Sequence, residues 1–331
     1  MEIVEVNGDL NEFLNLALKV YENDPVWCGE SGEDILNTIR HTRYKGSWIR
    51  LFMIKDLEFL ARASASIDPG SGTGYIGHFE ALRNENEAVN HLLKHVENEL
   101  RDKGAIRIIA PRSDIMSLGL QIGGFDLPQT WRTPHNPSYY REYFESNGYG
   151  KKEDLLTFIM GQDTIIESPD PVDRIKIRKF NIEDLEGEIG IFNRLNNAIF
   201  SSHENFTERT LEEDTIIIGS MLPYLDEDLV LIAEKDDEPI GFLVCVPDHN
   251  QMIREDRLTR ARLITIGLLS QYTGQGIGMM MADKLKEALV SKGFLELEGS
   301  WVLESNTAPR KMAGSIGGSL GRVFRVYVKD I

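Results

Sequence analysis

A glycine-rich turn stands in the last third of this 331-residue sequence, between an apolar segment and a helix-forming one. It reads TGQGIG from Thr273 to Gly278. Glycines allow backbone N–H groups to approach a ligand, and a helix predicted over Ile277–Ser291 would direct the positive end of its dipole at the same point. The chemistry indicated is anion binding, with pyrophosphate as the expected anion. An ordinary tight turn is the alternative.

Two other phosphate-binding patterns fit this turn less well. A P-loop carries Lys followed by Ser or Thr after its last glycine, whereas this chain has Met279 and Met280. A dinucleotide-binding fold places its glycine turn after the first strand of a βαβ unit, and here only residues 279–331 follow the turn. The dinucleotide fold is therefore a distant alternative.

The segments around the turn form an ordered pattern of elements. A strand is predicted over Phe294–Leu303, Asn306 can cap a short helix, and Arg322–Val328 alternates like a final strand. Upstream, a strand and a helix follow Arg174, and a hairpin turns at Asp236-Asp237. This order resembles the GCN5-related N-acetyltransferase (GNAT) superfamily, and the resemblance covers the whole C-terminal half.

The resemblance implies acetyl-CoA as cofactor, with its pantetheine arm in a splay between the strand before the turn and the strand after the helix. Carried over by position, the implied cofactor-binding residues are Ile266, Gly267, Leu268, Thr273, Gly274, Gln275, Gly276, Ile277, Gly278 and Asn306. Backbone N–H groups of Gly267 and Leu268 would stabilise the oxyanion formed when a neutral amine attacks the thioester. Thr273 stands where the family usually has Gln or Arg, so we expect a weaker cradle that still binds through its amides.

The usual catalytic side chains are harder to assign. Many family members place a Tyr about seven residues after the Asn, and Ala313 stands there instead. Tyr272 could serve as the acid, the thiolate could leave unassisted since a thiol has an ordinary pKa of about 8.5, or catalysis could be lost. For the general base we take Glu204, in a segment that also holds His203 and Glu208. A solvated loop is the alternative interpretation.

The N-terminal half repeats the same plan without the glycine turn. Two strand-like runs over Trp48–Ala65 and a third over Gly74–Leu82 precede an amphipathic helix, Glu85–Lys103, and further on Asn136 is followed by Tyr143. In place of the phosphate turn stands Asn84–Glu87, which has no glycine and adds negative charge. We therefore expect no CoA binding of the usual kind in this half.

The fold class predicted is α/β (α+β), with two tandem GNAT-like domains. Each has a mixed, mostly antiparallel sheet flanked by helices, and the C-terminal one has the splayed strand pair. The domains are predicted as 1–166 and 167–331, because Gly161–Arg174 is rich in proline and aspartate and fits a linker. The N-terminal domain is expected to stabilise its partner; an acceptor-binding lobe lined by Trp131–Tyr140 is the alternative.

Composition excludes several classes of protein. A net charge of −17 disfavours nucleic acid and suits cationic amine acceptors. Cys28 and Cys245 show no metal-ligand spacing, so neither a zinc site nor a disulfide framework is expected. No signal-like start or membrane-length apolar run is found, so the expected location is cytoplasmic, without a membrane partner. A homodimer is compatible with the sequence.

The function predicted from these features is acetyl-CoA-dependent N-acetyl transfer, by direct attack, to a primary amine of a small molecule or peptide. A non-catalytic CoA-binding or scaffold protein is the alternative, and it is favoured by Thr273 and Ala313. The acceptor and the pathway are not predicted.

Overall fold

The structure, a computed structural model, describes residues 1–44, 46–113, 117–162, 164, 170–201, 206 and 208–331. Its contacts divide the chain into two units. The first consists of Met1–Leu156, Leu303–Ser305 and Gly321–Ile331, and the second of Thr157–Val302 and Asn306–Leu320. Residues 166 and 167, between which the sequence places the domain boundary, lie outside the described residues, so that boundary stays a prediction.

Strands and helices follow one another up to Gly161. They are β1 (Glu2–Glu5), α1 (Asn11–Val20), α2 (Gly32–Tyr44), β2 (Trp48–Lys55), β3 (Phe59–Ile67), β4 (Thr73–Ala81), α3 (Asn86–Asp102), β5 (Arg107–Ala110), β6 (Leu120–Gly123), α4 (Tyr140–Ser146) and β7 (Gly150–Gly161).

The remaining elements follow Arg174. They are β8 (Ile175–Lys179), α5 (Leu185–Phe200), α6 (Leu211–Met221), β9 (Val230–Lys235), β10 (Glu238–Pro247), α7 (His249–Glu255), β11 (Arg260–Leu268), α8 (Ile277–Ser291), β12 (Glu296–Leu303), α9 (Thr307–Ser315) and β13 (Ser319–Asp330), with short 3-10 helices between some of them.

In the first unit, β1 to β4 pair as antiparallel neighbours, and β5 pairs parallel to β4. Alternation along β2 gives each face of the sheet its own core. Phe52 and Ile54 pack in the cluster that contains the buried side of α3, whereas Leu51 and Met53 pack with α1 and α2. Helices therefore cover both faces of this mixed sheet.

The second unit repeats that arrangement. Strands β8 to β11 pair as antiparallel neighbours, and β12 pairs parallel to β11. Leu243 and Cys245 pack with the buried face of α8, and Phe242 packs with Leu195 of α5 on the opposite face. Burial raises the pKa of the Cys245 thiol, which fits a core residue rather than a nucleophile.

Several predicted elements are confirmed. Helix α8 spans Ile277–Ser291 as predicted, and Asp236 and Asp237 turn the β9–β10 hairpin with φ of 51° and 66°. Both φ values lie in the left-handed region that two-residue hairpin turns require, and Asp tolerates it better than most residues. In both halves a helix follows the central strand, and the next strand returns parallel to it. The two-domain fold class is thus confirmed.

Among the described residues, no helix combines the length and the apolar character needed to cross a membrane.

Candidate functional site

The site begins where two parallel neighbours separate. Strands β11 and β12 pair from Arg260 and Glu296 only as far as Leu263 and Gly299, although β11 continues to Leu268. On its other side β11 stays paired with β10 up to that residue. A gap therefore opens along the last five residues of β11, and Ile264, Thr265 and Ile266 are only half-buried although their strand is central in the unit. The splay predicted by the sequence is present.

The glycine turn lies at the same end of β11. Gly274 and Gly276 have φ of 73° and 84°, a conformation that most side chains disfavour. A Cβ placed on Gly274 or on Gly278 would meet no atom within 4 Å, so space lies open beside both residues. Helix α8 starts at Ile277, and the N–H groups of a helix's first turn have no partner inside the helix. The turn can therefore accept an anion.

The polar side chains of the turn form hydrogen bonds with the backbone just before it. Thr273 Oγ1 donates to the carbonyl of Ser270 at 2.8 Å, and Gln275 Nε2 donates to the carbonyl of Gln271 at 2.8 Å. The buried Ile277 side chain belongs to the core of the second unit. These contacts leave backbone amides as the groups that can face a ligand, and they explain how Thr273 can replace the family's longer side chain.

The two backbone donors named from the sequence differ in direction. Leu269 N–H donates to Ile240 of β10 at 2.9 Å. Because N–H groups alternate along a strand, Gly267 N–H is directed toward β10 and Leu268 N–H toward the gap. Leu268 N–H is therefore the better placed donor for an oxyanion in the splay.

Gly267 serves a different purpose. A Cβ at this position would lie 3.0 Å from Ile199 Cγ2 and 3.5 Å from Phe200 Cζ. The C-terminal end of α5 can thus approach the end of β11 closely only because the strand residue is glycine. Phe200 also lies near Phe206 and Phe242, with ring centroids 6.5 and 6.3 Å apart, so this side of the strand end is aromatic and apolar.

An open groove runs along the exposed face of α5. It has a volume of about 640 Å³ and is lined by Asn193, Arg194, Asn197, Ala198, Ser201, Phe206 and Glu208. Its lining combines one cation, one carboxylate and one aromatic ring with the amides of Asn193 and Asn197, which both donate to the Arg209 carbonyl. Glu208 therefore lines a groove, while His203 and Glu204, the base named from the sequence, lie outside the described residues.

Other polar residues of the C-terminal half have structural surroundings. His249 Nε2 contacts the carbonyl of Tyr224 at 3.0 Å, and Glu304 pairs with Lys151 at 2.5 Å. Asn306 occupies the N-cap position of α9, as predicted, although its side chain makes no capping hydrogen bond. Its φ and ψ of −83° and 93° place it in the extended region.

Two further positions bear on proton transfer. Tyr272 is half-buried against the core of the second unit, and Lys235 Nζ lies 5.3 Å from its ring centroid. Ala313 lies in α9, on the helix that follows β12. An alanine cannot donate a proton, so the position that holds Tyr in many family members supplies no acid here.

The corresponding region of the first unit is filled by the protein. Tyr143 Oη accepts a hydrogen bond from Glu85 N–H at 3.0 Å, at the N-terminus of α3. A Cβ on Gly77 of β4 would lie 2.3 Å from the carbonyl oxygen of Arg112. Among the described residues, the backbone beyond β5 thus lies directly against Gly77 of β4, and the Glu85 amide has a partner within the protein.

Asn136 also has a structural role in this unit. Its Oδ1 accepts from Gln121 N–H at 2.7 Å, and its Nδ2 donates to the Gln121 carbonyl at 3.1 Å. Trp131, from the stretch considered as a pocket lining, is buried. Trp131 and Asn136 therefore have structural roles, and the acceptor-binding lobe stays a prediction.

One polar cluster in the first unit was not predicted from the sequence. Arg62 and Glu80, cross-strand neighbours on β3 and β4, meet beneath the loop after α1. Burial, followed by the nearby Glu30 carboxylate, raises the pKa of Glu80 to about 7, against the opposing effects of Arg62 and two tyrosines. Arg62 and Glu80 alternate with apolar residues in two predicted strands. This pattern could have indicated a buried ion pair.

Part of the second unit is similar in sequence to a known family. Residues 194–317 match the model of the acetyltransferase (GNAT) family. Two relatives are similar over nearly all of the chain. They are "Protein YghO" of Escherichia coli K12, 26% identical over 98% of this chain and 93% of its own, and "Bacterial ceramide synthase" of Caulobacter vibrioides, 25% identical over 99% and 96%.

Solved structures are similar in fold across both units. A tandem GNAT protein from the clavulanic acid biosynthesis pathway superposes with a TM-score of 0.66 at 10% identity, covering 99% of this chain and 98% of its own. A GCN5-related N-acetyltransferase from Sphaerobacter thermophilus gives a TM-score of 0.62 at 14% identity, covering 99% and 95%.

Proposed function

We propose that this protein is an acyl-CoA-dependent N-acyltransferase, because residues 194–317 match the model of the GNAT family and the chain is similar in fold to a tandem GNAT protein. The observation that carries the proposal is the gap between β11 and β12, which opens at Leu263 and Gly299 and ends beside the glycine turn. The glycine turn, at one end of the site, can hold a diphosphate. From there the gap follows the end of β11 to Gly267, beside which Phe200 lies.

The turn and the gap have separate tasks in this proposal. Amides of Gly274 to Gly278 bind the diphosphate, helped by the N-terminus of α8. Acyl-CoA, when bound, supplies a thioester carbonyl that a neutral amine can attack. Leu268 N–H is directed into the gap and is available to stabilise negative charge on an oxygen there.

The amine must lose a proton during transfer. We propose Glu204 as the base, with Glu208, a lining residue of the groove along α5, as the second candidate. Water in this open groove can carry the proton away from Glu208. The variants Glu204→Gln and Glu208→Gln are compared by their pH–rate profiles. Only replacement of the base should remove the fall in rate that its protonation causes at acidic pH.

The acyl group and acceptor are proposals of the same kind. Acetyl-CoA is the donor indicated by the family resemblance. A longer acyl-CoA is the second donor to test, because a relative 25% identical is named a ceramide synthase. The net charge of −17 favours a cationic small-molecule or peptide amine as acceptor, and the expected location is the cytosol, where the two free cysteines stay reduced.

The first experiment is isothermal titration of the full chain with acetyl-CoA, palmitoyl-CoA below its micelle concentration, CoA and NAD. Saturable binding of an acyl-CoA, with NAD silent, is expected. Thiol release is then measured with a panel of primary amines and polyamines. Failure of every CoA species to bind would overturn the proposal.

A non-catalytic CoA-binding protein is the second candidate function, and Ala313 favours it because this position supplies no acid. The two candidates differ in one result. Binding of acyl-CoA without amine-dependent thiol release, across both donors, would favour the non-catalytic protein. A thiolate that leaves unassisted would still give turnover, because a thiol's ordinary pKa of about 8.5 makes the thiolate a tolerable leaving group.

A further inference from the structure

The groove along α5 is lined by two side chains of opposite charge, Arg194 and Glu208. Both are exposed, and among the residues that the structure describes neither side chain forms an ion pair or a hydrogen bond. By contrast, Arg178, Arg209 and Arg260 of the same unit each pair with a carboxylate. The groove therefore offers a ligand one cation and one anion.

The segment that carries Glu208 is fixed against α5. Asn197 Oδ1 accepts from Arg209 N–H at 3.1 Å, and Asn193 and Asn197 both donate to the Arg209 carbonyl, at 2.8 and 2.7 Å. The Arg209 side chain donates to the fully buried Asp214 at 2.6 Å. Because Glu208 precedes the N–H of Arg209, it lies on the side of Asn197. These contacts hold Glu208 beside the groove.

The groove has a direction along α5. Arg194, Asn197 and Ser201, three of its lining residues, follow one another at intervals of three and four residues and so share one face of the helix. The rise of a helix separates Arg194 from Ser201 by about 10 Å along the axis. Helical side chains incline toward the N-terminus, which directs the Arg194 guanidinium further from Ser201. The cation therefore lies toward the end of the groove opposite Ser201.

The Ser201 end of the groove lies beside the end of β11. Phe200 precedes Ser201, and its Cζ lies 3.5 Å from the position of a Cβ on Gly267. Phe206 lines the groove, and its ring centroid lies 6.5 Å from that of Phe200. A molecule in the groove can thus direct one end toward the strand end, where the thioester is proposed, and its other end toward Arg194.

The two charges determine which end of a ligand lies where. The Arg194 guanidinium can donate two parallel hydrogen bonds to a carboxylate or a phosphate group. Glu208 repels such a group from the part of the groove nearer the strand end, and it attracts an ammonium group there. The length of about 10 Å between Ser201 and Arg194 is too great for an α-amino acid, whose amine and acid share one carbon atom.

From this geometry we propose that the groove along α5 binds a chain amine that carries an acid group, a carboxylate or a phosphate, at its far end. The acid group lies on Arg194, and the amine is directed at the end of β11. This inference rests on the proposed acyl transfer and narrows its acceptor. Among small-molecule and peptide amines, it favours those with a distant acid group over simple alkylamines and polyamines.

The test compares three amines with the same carbon chain, which are 6-aminohexanoate, n-hexylamine and 1,6-diaminohexane. Each is titrated calorimetrically into the full chain, with and without CoA, and each is assayed by thiol release from acetyl-CoA and palmitoyl-CoA. We expect 6-aminohexanoate to bind about fivefold more tightly than hexylamine, the effect of one exposed ion pair. It should also give the highest kcat/KM of the three.

Three variants make the test specific. Arg194→Gln removes the cation, so 6-aminohexanoate should bind no better than hexylamine. Arg194→Glu reverses the charge, so 1,6-diaminohexane should become the best ligand. Arg257→Gln is the matched control and is expected to bind as the wild type does, because Arg257 is exposed, pairs with Glu255 and is not a lining residue of the groove. Far-UV circular dichroism and thermal unfolding establish that all three variants are folded.

Failure of this inference is distinct from failure of the proposed enzyme. No binding of 6-aminohexanoate, binding equal to that of hexylamine, or an unchanged preference in Arg194→Glu would each overturn the inference. Thiol release with other amines would then leave the enzyme in place with a different acceptor. Conversely, binding of 6-aminohexanoate that depends on Arg194, in a protein that binds no CoA species, would support the groove as a binding site and overturn the proposed enzyme.

Discussion

Single residues decide what the glycine turn can bind. Gly274 and Gly276 adopt a left-handed conformation, and open space lies beside Gly274 and Gly278. Thr273 and Gln275 use their polar groups on carbonyls of the preceding turn. Affinity for an anion therefore depends on backbone amides, and a new charge in the turn is the most direct way to abolish it.

Replacing Gly276 by Asp is expected to lower acyl-CoA affinity by at least tenfold, because a carboxylate would face the diphosphate. Gly276→Asn is the matched control, since both residues tolerate a positive φ better than other non-glycine residues. Asn should therefore keep measurable affinity. Titration with acetyl-CoA distinguishes the two, and equal affinity of both variants would show that charge in the turn does not matter.

At the scale of elements, the site depends on how closely α5 approaches the end of β11. Gly267 makes that approach possible, because Ile199 and Phe200 lie where a side chain would be. The same helix presents its opposite face to the groove that ends at Glu208. A displaced α5 would thus change the groove and the apolar side of the strand end together.

Gly267→Ala is expected to destabilise the protein by about 1–3 kcal/mol, the usual cost of overpacking, and to lower turnover. Gly190→Ala in the same helix is the control, because its Cβ would meet no atom within 4 Å. Alanine is a better helix former than glycine, so this variant should gain up to about 1 kcal/mol. Urea unfolding measures both values, and equal stabilities would contradict the packing assigned to Gly267.

At the scale of the whole molecule, excess negative charge is the dominant property. The net charge of −17 attracts cations over the surface, and the Glu30 and Glu80 carboxyl groups both face Arg62 in one partly buried place. The stability of the protein is therefore coupled to the protonation of Glu80.

Glu80 should make the protein less stable as the pH rises from about 4.5 to about 7. Its pKa rises from 4.5 to about 7 on folding, mainly through burial, so the folded state binds the proton more tightly in that window. Stability then falls by up to about 1.4 kcal/mol per pH unit and levels off above pH 7. Unfolding free energies at pH 5 and pH 8 measure it.

Glu80→Gln serves as the reference for this pH dependence, because glutamine is neutral throughout. The stability of the wild type relative to the variant should be greater at pH 5 than at pH 8. A difference that does not change with pH would show that Glu80 keeps its ordinary pKa in the folded protein.

Many of the elements and the position of the glycine turn could be predicted from the sequence. Local rules were sufficient there: glycines set the turn, the following helix supplies amides, and Ile277–Ser291 has the period of a helix. The same order of elements could also be predicted in the N-terminal half. There the acidic segment Asn84–Glu87 stands in place of the glycine turn.

Contacts between distant segments could not be predicted from the sequence. Pairing with β10 sets the direction of Leu268 N–H, and the approach of α5 explains why position 267 is glycine. Glu80 meets Arg62 and Tyr140, residues that no local pattern connects with it. Such contacts depend on chain segments that are distant in sequence, so periodicity and motif spacing carry no information about them.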